Sequence, residues 1–164
     1  MIICNRLSVL TIICGSLSLC VGGAMAGSAH RAAACGLLSP ADIERVLHAP
    51  VGDGGPRVNT EVLTTCSFSV AQSGSVSILL RRDSLKEWSG EQRNRMTCGI
   101  SFRPVSGLGD AAFVLDRRPK GVTLCVFLGA NYLQVSVLGL GDSDSVLPAA
   151  TALARKALCR LRAS

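Results

Sequence analysis

Two long stretches of the chain alternate between apolar and polar residues, which is the pattern of β-strands with one buried face. The first covers residues 61–80 and is interrupted by a polar turn at 72–74. The second covers residues 111–138 and is interrupted by two turns that contain glycine. The alternation predicts a hairpin followed by a meander of three antiparallel strands. A further, weaker strand is predicted at 99–105, where a proline interrupts the pattern.

Three other segments show helical spacing. The first helix is predicted over residues 40–48, with Asp42 near the free amides of its first turn, and a glycine-rich loop at 52–56 follows it. The second is predicted over 84–96 and the third over 147–162. Helices separated by hairpins predict a single α+β domain in which about three helices flank one antiparallel sheet.

The second predicted helix carries the chain's one tryptophan. Ser84 and Glu87 form a capping-box pattern at its start. Leu85, Trp88 and Gln92 then lie on one helical face, where the tryptophan is interpreted as a packing residue.

The first 26 residues resemble an export signal, with a basic start, an apolar run and small residues before the expected cleavage point. Residues 27–34 are then a flexible lead-in, and 35–164 form the domain. A retained membrane anchor is the alternative. A lipid anchor at Cys20 is less favoured, because a large residue precedes this cysteine. The chain is therefore expected to be periplasmic or secreted, and association with the envelope is not excluded.

The expected roles of the eight cysteines depend on this predicted export signal. Three lie in the export signal, and five remain: Cys35, Cys66, Cys98, Cys125 and Cys159. In an oxidising compartment such cysteines form disulfides, and we expect Cys35 to pair with Cys66 and Cys98 with Cys125. The alternative is that several are small buried side chains. The Cys-x-x-Cys spacing of zinc and thioredoxin-type sites is absent, so neither a metal nor a cofactor is predicted.

The net charge limits the classes of partner that the chain is expected to bind. After the predicted signal the chain carries 16 basic and 11 acidic side chains, a net charge of +5. This balance favours anionic surfaces, whereas scattered basic pairs and 4% aromatic residues argue against nucleic acid. Four basic residues lie near the end of the third predicted helix, where the helix dipole already stabilises cations and an anion-binding site is the alternative. They are Arg155, Lys156, Arg160 and Arg162.

Two short motifs are interpreted as turns. Residues 141–143 read Gly-Asp-Ser, as in a hydrolase nucleophile motif, but His30 and His48 both lie upstream and no base is evident. We interpret the motif as the cap of the last helix. The sequence Gly-Leu-Gly-Asp occurs at 107–110 and again at 139–142, where it favours turns over calcium or phosphate loops.

Several motifs together resemble a known class of proteins. They are Cys35-Gly36-Leu37-Leu38 before the Ser39-Pro40 helix start, Cys66-Ser67-Phe68, Gly107-Leu108-Gly109-Asp110-Ala111-Ala112 and an alanine-rich last helix. Through these motifs, residues 35–161 resemble exported bacterial envelope proteins of unknown function, some of which are lipoproteins with a PsbP-like α/β domain. The resemblance implies an antiparallel sheet flanked by helices and a disulfide between Cys35 and Cys66. It implies no catalytic residues.

The sequence shows no coherent catalytic set, so we predict a non-catalytic exported domain that binds a protein partner or an anionic envelope component. One alternative is an inhibitor of an exported hydrolase that presents the loop residues Arg117, Arg118 and Lys120. A second is an enzyme that uses Glu87 and Glu91, which lie one helical turn apart.

Overall fold

The computed structural model describes residues 33–82, 102–116 and 120–164. The helices are α1 (Ala34–Leu37), α2 (Pro40–Leu47) and α3 (Ser143–Ala163). The strands are β1 (Gly55–Asn59), β2 (Leu63–Val70), β3 (Gly74–Arg82), β4 (Phe102–Pro104), β5 (Ala111–Asp116), β6 (Gly121–Leu128) and β7 (Asn131–Leu138). The predicted export signal and the predicted helix at 84–96 lie outside the described residues.

All seven strands form one antiparallel sheet in the order β1-β2-β3-β7-β6-β5-β4. The predicted hairpin is β2–β3 and the predicted meander is β5–β6–β7, and both are confirmed. The pairing of β3 with β7 joins these two units. An antiparallel sheet combined with helices is therefore confirmed, while the PsbP-like class and the total number of helices stay predictions.

One face of the sheet carries the main core. The register places Cys66, Ile78, Val135 and Leu124 in one row across β2, β3, β7 and β6, and all four are fully buried. This face packs against apolar residues of all three helices. Each buried side chain of this size contributes about 1.5–3 kcal/mol, so the packing holds the helices on this side.

Strand β1 corrects the prediction of a loop at 52–56. Gly55 and Pro56 lie in β1 and pair with Ser67 and Cys66 of β2. Proline is tolerated because β1 is an edge strand that pairs on one side only. Its missing N–H therefore does not interrupt hydrogen bonding to a second neighbouring strand. The register shifts between Pro56 and Val58, which is a bulge of the kind that protects exposed edges.

Helix α3 begins four residues before the predicted start at Leu147. The Asp142 side chain caps it by accepting a hydrogen bond from the Ser145 amide at 2.9 Å. Pro148 lies inside the helix, where it removes one backbone hydrogen bond, and the prediction had placed it near the first turn. Helix α2 agrees with its prediction, and His48 ends it in the left-handed conformation with a φ of 52°.

A disulfide joins Cys35 of α1 to Cys66 of β2, with their Cα atoms 5.0 Å apart. This is the predicted pair. Next to it, the amide of Ala34 donates a hydrogen bond to the Thr64 hydroxyl at 3.0 Å. The short helix α1 is thus held to the centre of β2 by one covalent bond and one buried hydrogen bond.

We expect replacement of both cysteines, Cys35→Ala with Cys66→Ala, to lower the free energy of unfolding by about 3–4 kcal/mol, because the disulfide restricts the unfolded chain. The bond spans 31 residues of sequence. Urea denaturation of the oxidised double variant and wild type measures the difference. Equal unfolding free energies would contradict the prediction, and Val62→Ala, at an exposed position, is the control that should change little.

Candidate anion-binding groove

A buried carboxylate fixes the position of the C-terminal half of α3. Asp42, in the first turn of α2, is only 4% exposed. Its Oδ1 accepts from Lys156 Nζ at 2.6 Å, and its Oδ2 accepts from a guanidinium nitrogen of Arg160 at 2.7 Å. Arg160 also donates to the Leu37 carbonyl at 3.1 Å. One carboxylate thus connects α2 to two turns of α3.

The same carboxylate closes a capping box at the start of α2. The Ser39 amide donates to Asp42 Oδ2 at 3.0 Å, and the Asp42 amide donates to the Ser39 hydroxyl at 3.3 Å. Burial alone would raise the pKa of Asp42, but the hydrogen bonds from Lys156 and Ser39 and the charge of Arg160 hold the pKa well below its ordinary value.

Helical geometry divides the four basic residues of α3 into two pairs. Lys156 and Arg160 are four residues apart and face α2, where both bind the Asp42 carboxylate. Arg155 and Arg162 are seven residues apart, so they share a different face at a separation of about two turns. Both are exposed. This second pair has no carboxylate partner in the described ranges and is therefore the better placed to bind a ligand.

Arg155 and Arg162 line an open groove of about 440 Å³ between α3 and the loop that precedes β5. The side chain of Leu158 and the loop residues contribute the apolar wall, and Leu108 itself is buried in the core. Cys159 also lines the groove. Among the described residues, the lining includes neither a carboxylate nor a histidine.

The loop wall depends on two glycines with left-handed backbones. Gly109 has a φ of 56°, and a Cβ there would collide with the Phe127 carbonyl and the Val126 side chain. Gly107 has a φ of 76°, and a Cβ there would meet only open space. Asp110 then fixes the loop, because its carboxylate accepts from the Gly129 amide at 2.6 Å. The wall is therefore held rigidly beside α3.

The two guanidinium groups in the groove have no carboxylate partner among residues 33–82, 102–116 and 120–164. The ion pairs in these ranges join Arg45, Lys156 and Arg160 to Asp42, and Arg103 to Asp144. The end of α3 carries roughly half a negative charge, which offsets only part of two positive charges. A net positive potential remains in the groove.

Other predicted site residues are dispersed or lie outside the described ranges. Lys120 is exposed, while its predicted loop partners Arg117 and Arg118 are not described. Glu87 and Glu91 are not described either. Cys125 is buried in β6 on the sheet face away from the helices, and Cys98 is outside the described residues, so their bond stays a prediction.

The turn interpretations of both motifs are confirmed. Ser143 is buried and its hydroxyl donates to the Gly121 carbonyl at 2.6 Å, while the preceding Asp142 caps α3. Gly139 and Gly141 adopt positive φ values, as glycines in turns do. His48 is exposed at the end of α2, as expected for a histidine at a helix end.

Sequence reasoning missed the two features that define the groove. The partners of Asp42 are more than 100 positions away along the chain, so local patterns cannot identify them. The one available signal was the four-residue spacing of Lys156 and Arg160, which differs from the seven-residue spacing of Arg155 and Arg162. The glycine loop at 107–109 was recognised as a turn but not as the wall of a groove.

Two further observations concern the described part of the chain. No group of three histidine, cysteine or acidic residues there could hold a metal ion. None of the helices there is long and apolar enough to cross a membrane. A second hollow, of about 400 Å³, lies beside the disulfide, but its arginine is Arg160, which Asp42 already binds.

Comparison with known proteins adds no relative. No protein-family model matches the chain, and neither a curated protein nor a solved structure is significantly similar to it. The resemblance to PsbP-like envelope proteins thus stays a prediction.

We expect Asp42→Asn to lower the free energy of unfolding by about 2 kcal/mol at pH 7, because hydrogen bonds to charged groups are lost. Since the pKa of Asp42 is lowered by folding, its contribution is complete above the unfolded value of 3.8 and declines as the pH falls below it. The difference between wild type and variant should therefore shrink in acid. Urea denaturation at a series of pH values measures it.

The control is Asp144→Asn, which removes an ion pair of the exposed residues Arg103 and Asp144. Exposed pairs contribute about 0–1 kcal/mol, so this variant should resemble wild type. An Asp42 variant as stable as the control at pH 7 would show that the carboxylate does not hold α2 to α3.

Proposed function

We propose that the protein is a non-catalytic exported domain that binds a phosphate-bearing component of the cell envelope in the groove beside α3. The observation that carries the proposal is the position of Arg155 and Arg162. They line an open groove and pair with no carboxylate in the described ranges, whereas Lys156 and Arg160 are both bound to Asp42.

The chemistry of the groove fits a phosphate group. Guanidinium groups bind phosphate oxygens through two parallel hydrogen bonds, and two of them about two helical turns apart suit a ligand with repeated phosphates. The exposed loop glycines and Ala163 in the lining leave room beside the arginines for the carbon portion of such a ligand. Lysine would be a weaker choice here, because its charge lacks the planar fork.

Two observations support a binding role over catalysis. Within the described part of the chain, the lining of the groove includes no carboxylate or histidine that could transfer a proton. The one serine in a nucleophile-like motif, Ser143, is buried and donates its hydroxyl to a backbone carbonyl. Neither the described lining of the groove nor Ser143 therefore supplies a reactive group.

Export is supported by the disulfide and by the N-terminal sequence pattern. A disulfide such as Cys35–Cys66 persists in oxidising compartments and is rare in the cytosol. In such a compartment, the protein's positive net charge favours contact with a membrane surface that is rich in phosphate groups.

We expect the double variant Arg155→Gln/Arg162→Gln to bind vesicles that contain phosphatidylglycerol about 30-fold more weakly than wild type. Each arginine near an anionic surface contributes about 1 kcal/mol, and 1.4 kcal/mol corresponds to a factor of ten. Co-sedimentation at low ionic strength measures the affinity. A parallel titration with soluble polyphosphate distinguishes a lipid headgroup from a free phosphate polymer as the source of the phosphate.

The matched control is Arg45→Gln/Arg57→Gln, which removes the same charge from two exposed positions outside the groove. Net charge alone would weaken both double variants equally, and that result would contradict the groove. Equal binding of wild type to phosphatidylcholine vesicles would contradict recognition of an anion altogether.

A further inference from the structure

The second face of the sheet is buried where β5, β6 and β7 form it. Phe113, Leu115, Cys125, Phe127 and Tyr132 are each between 0% and 6% exposed. Across the described ranges this cluster consists of strand residues, while all three helices pack on the other face. On β2 the same second face is less buried, since Ser67 is half-buried and Ser69 is exposed.

The buried half of this face combines aromatic side chains with polar groups. The ring of Phe127 lies 6.0 Å from Phe113 and 5.1 Å from Tyr132, centroid to centroid. Beside the rings, Tyr132 donates to Cys125 Sγ at 3.0 Å, and Thr123 and Ser136 share a hydrogen bond of 3.0 Å. Such side chains stay out of water only under a close-packed cover.

The strand order identifies which part of the chain can supply the cover. Strand β3 ends at Arg82 and β4 begins at Phe102, yet β7, β6 and β5 lie between them in the sheet. Successive antiparallel pairing makes β3 and β4 parallel, and parallel strands require a connection that crosses the sheet. In the sequence, residues 83–101 link β3 to β4, and the described helices already occupy the first face.

Length and pattern agree with this path. Four spacings between neighbouring strands amount to about 19 Å. A helix over the predicted range 84–96 would be about 20 Å long, at 1.5 Å per residue. Its predicted apolar side includes Leu85 and Trp88, which match the aromatic cluster in character.

We propose that residues 83–101 cross the second face of the sheet and bury Trp88 against the cluster of Phe113, Phe127 and Tyr132. The face is then an internal surface of this domain, and its partner is a segment of the same chain. This inference does not depend on the anion-binding groove.

Fluorescence tests the proposal directly, because the full chain contains one tryptophan, Trp88, and one tyrosine, Tyr132. In the oxidised full-length protein we expect blue-shifted tryptophan emission and several-fold weaker quenching by acrylamide than in urea. The excitation spectrum of the tryptophan emission should also contain energy transfer from tyrosine, and Tyr132→Phe should abolish that contribution. Quenching as strong as in urea would overturn the proposal.

A matched pair of variants locates the contact. Phe127→Leu alters the second face, and Phe68→Leu makes the same change at a residue buried on the helix-covered face. We expect the first variant to shift the tryptophan emission to the red and to raise its quenching several-fold, and the second to leave both unchanged. Circular dichroism verifies that each variant is folded. Equal responses in two folded variants would overturn the assignment, and the energy-transfer measurement on wild type remains decisive if either variant is unfolded.

Discussion

The bond between Asp42 and two basic residues of α3 determines how the helices lie on the sheet. Asp42 serves the backbone amides of its own helix and the side chains of a helix at the other end of the chain at the same time. Removing the carboxylate from water is costly, and the cost is offset because every strong partner is present at once. Lys156 and Arg160 keep about a third of their side chains exposed, so their own desolvation is modest.

This arrangement also separates structural from functional charge. A helix with four basic residues near one end would bind anions without discrimination if all four were exposed. Because Asp42 binds Lys156 and Arg160 and offsets part of their charge, the guanidinium groups without a carboxylate partner in the described ranges are those of Arg155 and Arg162, beside the loop at 107–109. The position of a single acid in α2 thus selects which side of α3 faces a ligand.

Periodicity in the sequence predicted the elements whose side chains alternate between core and solvent. Strands β2 and β3 were identified because Cys66, Phe68, Val76 and Ile78 alternate with serines and threonines. Strand β1 could not be recognised in this way, since nearly all of its residues are exposed and pairing with β2 alone defines it. The start of α3 was predicted four residues too late because its first turn is polar, although residues 141–143 were correctly interpreted as the cap of this helix.

The candidate site was predictable only in part, for a related reason. The basic residues of α3 were identified from their clustering, but their division into two pairs depends on contacts between distant parts of the chain. The disulfide between Cys35 and Cys66 was expected as a preferred pair and was also implied by the resemblance to PsbP-like envelope proteins, and the structure contains it. Contacts that depend on tertiary structure, such as the loop wall of the groove, have no comparable local signal.

The pairing of β3 with β7 has a consequence for the order of events during synthesis. It joins residues 75–82 to residues 131–138, so the hairpin β2–β3 has an unsatisfied edge until almost the whole chain has been made. Loop closure over this distance is slow compared with the formation of either local unit. Until β7 has been made, the hairpin β2–β3 therefore has an open edge on β3.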